Sequence, residues 1–121
     1  MIGREKLGLA VVALMVTVLA ASMARADDKE TLKLMLINGG AIIGQSITCG
    51  VAKDRLLKVM AAHAATVEVL SNSDPKVMKL RDDIIKLAAD NEKSQTVPRC
   101  GVIETAFSGF EKTLKDKGLM Q

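Results

Sequence analysis

Apolar residues recur three and four positions apart through most of the chain beyond residue 50, a spacing that predicts amphipathic helices. The first of these helices is expected from position 49 or 51 to about 70. The second should span residues 75–93, because Asp74 can cap its first backbone N–H groups and a proline follows. The third should run over residues 98–117 and end at Gly118, a residue type that commonly terminates helices.

Each of these helices carries one stripe of mostly apolar positions that we expect to face a common core. The three stripes are Leu56, Met60, His63, Val67 and Leu70; Val77, Leu80, Ile84 and Leu87; and Ile103, Phe107, Phe110 and Leu114. No window of the chain shows sustained alternation of apolar and polar residues with β-branched enrichment, the pattern of a half-buried strand. The predicted fold class is therefore all-α, a small antiparallel bundle of about four helices.

The run from Leu34 to Ala52 contains no charged residue, although lysines stand on both sides of it. A run of this kind is expected to be buried in a core, in an interface or in a bilayer. Its Gly39-Gly40 pair predicts a kink or a break, because each glycine inside a helix costs about 1 kcal/mol relative to alanine. We therefore expect two short helical pieces separated by a break, which enter the core together.

An alternative interpretation makes this same run a surface for self-association or membrane contact. Small residues four positions apart, Gly40 and Gly44, allow helices to approach closely. The residues of this possible interaction surface are Leu36, Ile37, Gly40, Ile42, Ile43 and Gly44. As a membrane span the run is poor, because its polar side chains would each need a partner in lipid.

The start of the chain has the pattern of a secretory signal peptide. Arg4 and Lys6 precede fifteen uncharged, mostly apolar residues at 7–21, fewer than the roughly 20 that a membrane span requires. Ala24 and Ala26 then form a small-x-small cleavage signal. We expect cleavage after Ala26, with cleavage after Ala24 or a retained anchor as alternatives. The prediction is a periplasmic or secreted protein whose mature part, 27–121, is a single helical domain.

Loss of the leader changes the charge balance of the protein. The whole chain has 17 basic and 14 acidic residues, and removal of the leader's three basic and one acidic residue leaves 14 and 13. Binding to nucleic acid requires a basic patch that neutralises phosphates, whereas here the two signs are interspersed. Aromatic residues for base stacking are limited to Phe107 and Phe110. We therefore expect no nucleic-acid partner.

The two cysteines, Cys49 and Cys100, allow a single intramolecular pairing in an oxidising compartment. In an up-down-up-down bundle the helices that follow these cysteines run parallel, which brings both residues to the same end. We therefore predict a disulfide that staples the bundle. Redox catalysis is disfavoured, because catalytic thiols usually stand as close together as in Cys-x-x-Cys.

Residues for other chemistry are scarce. His63 is the only histidine and stands fourteen residues beyond Cys49, about 21 Å along a helix, so the two cannot share a metal. No motif for c-type haem attachment, calcium or phosphate binding is present. We expect no enzymatic activity, no metal site and no cofactor. A minor hypothesis is that His63 is pH-responsive, because burial would lower its pKa and protonation would then destabilise the bundle.

These features favour a non-enzymatic exported protein, an accessory or stress-related factor that binds a protein partner or itself. The alternative is a membrane-associated or self-assembling protein that uses the run 34–52. The layout of a small exported helical chain, one long-range disulfide and a lysine-rich last helix is similar to that of the periplasmic HdeA acid-stress chaperones. That resemblance implies holdase activity at low pH through exposure of 34–52. The aromatic and acidic residues that surround the first cysteine in that family are absent around Cys49.

Overall fold

Four helices account for most of residues 28–121, which are the residues that the computed structural model describes. The first helix, α1, consists of three contiguous segments, and the other three are regular α-helices. The bounds are Asp28–Leu34, Met35–Gly39 and Gly40–Thr48 for α1, Lys53–Leu70 for α2, Pro75–Lys93 for α3 and Cys100–Asp116 for α4. No strand occurs within 28–121, and the predicted all-α class is confirmed. The predicted signal peptide, with Ala24 and Ala26, lies outside the described residues.

The expected ends of α3 and α4 follow from local capping chemistry. The Asp74 side chain accepts a hydrogen bond from the backbone N–H of Lys76 at 2.9 Å, and Pro75 is the first helical residue of α3. Gly118 has φ = +73° shortly after the end of α4, a conformation that glycine adopts without the steric penalty of a Cβ. Both predicted signals are confirmed.

The predicted break at Gly39-Gly40 is wrong, because α1 continues through both glycines. Leu34, Gly39 and Gly40 all have helical backbone angles, with φ between −61° and −64° and ψ between −42° and −44°. The helix instead widens into a single π segment over Met35–Gly39. The glycines permit close packing here rather than a change of chain direction.

Gly44 shows this close packing between α1 and α3. A Cβ at position 44 would lie 2.7 Å from the Cβ of Ala88 and 2.9 Å from the backbone nitrogen of Ala89. Four residues earlier, a Cβ at Gly40 would lie 2.8 Å from Cγ2 of Ile84. Contacts therefore advance in the same direction along both chains, so α1 and α3 run parallel.

The first helix is also the centre of the fold. It packs against each of the other three helices, most extensively against α3. Met35, Leu36, Ile42 and Ile43 are all buried in the common core. This burial on several sides explains why the run 34–52 carries no charge. Within residues 28–121, no helix is both long enough and apolar enough to span a membrane.

The buried faces of α2 and α4 agree with prediction more closely than that of α3. All four predicted stripe residues of α4 are buried, as are His63 and Val67 of α2. In α3, by contrast, Leu80 and Leu87 remain 48% and 62% exposed. The prediction was wrong for these two residues. The residues that α3 buries instead are Arg81, Ile85, Ala89 and Glu92.

The parallel helices α2 and α4 are joined at one end by the predicted disulfide. Cys49 and Cys100 are bonded, with their Cα atoms 5.3 Å apart. Further along, the Arg55 guanidinium contacts the carboxylates of Glu104 at 2.8 Å and Glu111 at 3.0 Å. These two anionic neighbours raise the pKa of Arg55 above its usual value, through their hydrogen bonds first. The covalent and ionic links thus fix the register of α2 against α4.

Candidate functional site: a buried histidine between helices

His63 lies near the middle of α2 and has no solvent-accessible surface. The sequence pattern indicates a core position, because His63 belongs to the apolar stripe of α2. Three other helices supply its surroundings. The π segment of α1 contributes the carbonyl of Met35, α3 contributes Arg81, and α4 contributes Phe110, whose ring meets the imidazole edge to face at 6.1 Å between centroids.

Both ring nitrogens of His63 have hydrogen-bond partners. Nε2 lies 2.7 Å from the carbonyl oxygen of Met35, and Nδ1 lies 2.9 Å from Nε of Arg81. A guanidinium nitrogen can only donate, so Nδ1 must act as the acceptor. Nε2 therefore carries the proton and donates it to the Met35 carbonyl. This arrangement selects the neutral imidazole in a single tautomer.

The Arg81 side chain connects this core position to the surface of α3. Arg81 is buried, and its Nη2 donates to the carbonyl of Met60 at 3.0 Å. Its Nη1 lies 3.0 Å from the carboxylate of Asp82, which is largely exposed. Each nitrogen of the guanidinium thus has one hydrogen-bond partner, and the anionic one, Asp82, lies at the solvent side.

The π segment and Gly39 together make room for the imidazole. A Cβ at position 39 would lie 3.0 Å from both Cδ2 and Nε2 of His63 and 3.0 Å from Cζ of Phe110. Only glycine leaves the ring space to approach the backbone of α1 and reach the Met35 carbonyl. We name the group formed by His63, Arg81 and the Met35 carbonyl the histidine latch, because it ties α2 to α1 and α3.

Burial in the latch lowers the pKa of His63 from 6.5 to about 4. Desolvation is the largest cause, and the charge of Arg81 also lowers the pKa, while the hydrogen bond to Met35 raises it. Among the groups that contact the ring, Arg81 from α3 is the charged one. The contacts from α1 and α4 are a carbonyl and an aromatic ring. Among residues 28–121, no carboxylate is placed against the ring to stabilise an imidazolium.

This arrangement can respond to protons but offers no obvious chemistry of other kinds. Both nitrogens of His63 are occupied by protein groups, so neither is free to bind a metal or attack a substrate. Within residues 28–121, no group of three or more histidine, cysteine, aspartate or glutamate residues could hold a metal ion. The latch is therefore a buried, hydrogen-bonded contact that joins α2 to α1 and α3.

The residues of the predicted interaction surface are mostly inside the fold. Leu36, Ile42 and Ile43 are buried, and both Gly40 and Gly44 face α3 of the same chain. The remaining member, Ile37, is 50% exposed. Binding through this whole set would require α1 to separate from α3. The close approach expected at the two glycines is present, but the approaching helix belongs to the same molecule.

Two charged residues at buried positions escaped the sequence analysis. Neither Arg81 nor Glu92 belongs to the apolar stripe predicted for α3. The carboxylate of Glu92 is nearly inaccessible and pairs with Arg99 at 2.7 Å. A usable signal was the spacing of Arg81, Ile85 and Glu92, which places all three on one helix face. Because Arg81 and Glu92 are charged, this face of α3 does not form an apolar stripe in the sequence.

Comparison with known proteins adds no relative to this description. No protein-family model, no curated protein and no solved structure matches the chain.

Proposed function

We propose that this chain is an exported, non-enzymatic protein that binds other proteins through α1 when acid opens the histidine latch. The observation that carries the proposal is the buried, neutral His63, whose Nδ1 accepts from a guanidinium. Protonation of Nδ1 would place its new N–H against the Nε–H of Arg81. The imidazolium and the guanidinium would then be two positive charges side by side in the core. Unpaired buried charges of this kind are among the most destabilising changes known for a folded domain.

Opening of the latch would act on the most apolar helix of the fold. Protonation keeps the Nε2–H bond to the Met35 carbonyl but sets the imidazole against Arg81, so it weakens the contact of α2 with α3, the helix against which α1 packs most extensively. The side chains that α1 would then release include Leu36, Ile42 and Ile43. Released apolar surface of this kind binds exposed apolar segments of other proteins, as expected of a stress-related holdase. The predicted interaction surface would thus become available in acid rather than at neutral pH.

Export is supported by the leader pattern at the start of the sequence and by the disulfide. The Cys49–Cys100 bond is compatible with an oxidising compartment. A direct test is the intact mass of the naturally produced protein after thiol alkylation without reductant. We expect a 95-residue species, which is 121 residues less the 26 of the leader, with no alkylated thiol. A full-length species with two alkylated thiols would contradict export.

The binding function is tested by mixing the protein with a client that aggregates in acid. At pH 3, below the pKa of His63, we expect equimolar protein to suppress light scattering by the client. At pH 7 it should have no effect. No suppression at pH 3, even with excess protein, would refute the proposal.

The role of the latch itself requires a variant without an imidazole. His63→Gln keeps an amide that can donate to the Met35 carbonyl and cannot be protonated in this pH range. In wild type, suppression should develop between pH 6 and 4, whereas in His63→Gln it should not rise in that interval. Lys58→Gln, an exposed change on the same helix, is the matched control and should behave like wild type. An unchanged onset in His63→Gln would remove the latch as the trigger.

A further inference from the structure

Helix α3 carries an apolar seam that the fold leaves largely unused. The seam follows a repeat of three and four residues and is defined by Val77, Leu80, Ile84, Leu87 and Asn91. Val77 and Ile84 are half-buried against the core, whereas Leu80 and Leu87 are 48% and 62% exposed. An alternation of three and four over two heptads is the signature of a helix that packs along another helix.

The seam and the buried face of α3 are two different surfaces. The buried face, centred on Arg81, Ile85 and Ala89, lies roughly a third of a turn round the helix from the seam at 100° per residue. α1 covers that buried face through its glycines and also contacts Ile84 at the edge of the seam. Nothing in residues 28–121 covers Leu80 and Leu87 to a comparable degree. α3 therefore has one face that packs against α1 and a second, apolar face that is largely exposed to solvent.

We propose that a second copy of this chain covers the seam, with the two α3 helices packed antiparallel about a twofold axis. In this arrangement, Val77 of one copy lies opposite Leu87 of the other, and Leu80 lies opposite Ile84. Every apolar seam residue then faces an apolar residue of the second copy. A surface that is complementary to itself in this way is what a twofold dimer requires.

Charge complementarity along the edge of the seam favours a second copy over an unrelated partner. Lys76 and Asp90 are both exposed and lie on the same flank of the seam, fourteen residues apart. In the antiparallel register that pairs the apolar residues, Lys76 of one copy comes next to Asp90 of the other, and the pair occurs twice. Between these pairs, Asp83 of one copy would approach Asp83 of the other. Each of these carboxylates already pairs with Lys79 of its own helix at 2.9 Å.

The alternative registers are less favourable. Shifting the antiparallel pair by one heptad would place Asp83 next to Asp90 of the second copy and leave Val77 uncovered. A parallel arrangement in register would keep Lys76 of one copy fourteen residues, about 21 Å along the helix, from Asp90 of the other, so this pair could not form. The seam spans only about three turns of helix, so the interface is small. We therefore expect a dimer that dissociates on dilution rather than an obligate one.

Sedimentation velocity at pH 7, from 1 µM to 1 mM protein, tests this inference. The neutral pH keeps the latch closed, so the result is independent of the proposed acid function. We expect wild type to shift from monomer to dimer across this range. Leu87→Gln should raise the concentration at half-dimerisation at least tenfold. Leu57→Gln, on α2 and 55% exposed, is the matched control and should leave it unchanged.

A charge exchange tests the antiparallel register. Lys76→Asp alone and Asp90→Lys alone should each weaken the dimer several-fold, because each places like charges opposite one another. The double variant restores opposite charges and should return to within about twofold of wild type. Wild type that remains monomeric at 1 mM would overturn the inference. A double variant as weak as the single ones, or a Leu57→Gln effect equal to that of Leu87→Gln, would overturn it as well.

Discussion

Replacing His63 with glutamine should remove most of the loss of stability that wild type shows between pH 6.5 and 4. The ring of His63 is inaccessible to solvent and accepts a hydrogen bond from Arg81, so the folded state holds it neutral. An unfolded chain imposes no such restriction. Acid therefore favours the unfolded state through this one residue. Glutamine at position 63 does not titrate in this interval and cannot contribute to such a slope.

The size of the effect follows from the difference between the two pKa values of His63. The folded-state value is about 4 and the unfolded value is 6.5. Between them the unfolded state binds more protons, so the free energy of unfolding falls as the pH falls through this window. At 1.36 kcal/mol per pKa unit, the difference corresponds to about 3 kcal/mol. This contribution is fully present above pH 6.5 and fully lost below about pH 4.

Urea unfolding followed by circular dichroism at 222 nm gives the required free energies at intervals of half a pH unit. Other groups that bind protons in this interval contribute equally to the curves of both proteins. The quantity of interest is therefore the difference between the wild-type and His63→Gln slopes, and not the absolute slope of either. We expect the variant to be less stable at pH 7, because the bond from Arg81 is lost or weakened, yet flatter towards acid. Parallel curves for the two proteins between pH 6.5 and 4 would refute the reasoning.

Three further predictions concern other contacts of the fold. Arg81→Gln should raise the pKa of the His63 imidazole, because the change removes a positive charge beside the ring. Proton NMR titration of the single histidine measures this pKa, and an unchanged midpoint would contradict the prediction. Gly44→Ala should cost about 1–3 kcal/mol of unfolding free energy, because its Cβ meets the backbone of α3. Gly101→Ala is the control, because nothing lies within 4 Å of a Cβ at that position, and it should stabilise the protein slightly. Equal changes in the unfolding free energy of the two variants would contradict the close packing at Gly44. Replacing Cys49 and Cys100 with serine should cost about 4 kcal/mol, given a separation of 51 residues, and an unchanged denaturant midpoint would contradict the role of the staple.

The parts of the fold that the sequence predicts correctly depend on local chemistry or on simple topology. The start of α3 follows from Asp74 and Pro75, which satisfy or remove the first backbone donors whatever the rest of the chain does. The disulfide follows from the parallel course of α2 and α4, which a four-helix order imposes. The core positions of Phe107 and Phe110 follow because no other aromatic residue competes for the interior.

The parts that the sequence does not predict depend on which helices become neighbours. Glycines such as Gly39 signal a break when α1 is considered alone, but their energetic cost is offset by contacts with α2, α3 and α4 that no local rule contains. In α3, two faces compete for the core. The face with fewer leucines is the buried one, because Ala88 and Ala89 admit a closer helix. The spacing of Arg81 and Ile85 places both on one face of α3, but the polar partner that permits the burial of Arg81, His63, comes from α2.

The central position of α1 also has a consequence for the order of events during synthesis. A chain made from its N-terminus presents α1 before any of the three helices that cover it. The last of these begins at Cys100, so the final wall of the core and the thiol partner of Cys49 become available at the same moment. The most apolar segment therefore stays incompletely covered until α4 has been made, even though α3, its most extensive neighbour, precedes α4. A chain interrupted before α4 would leave part of that segment exposed and Cys49 without its partner.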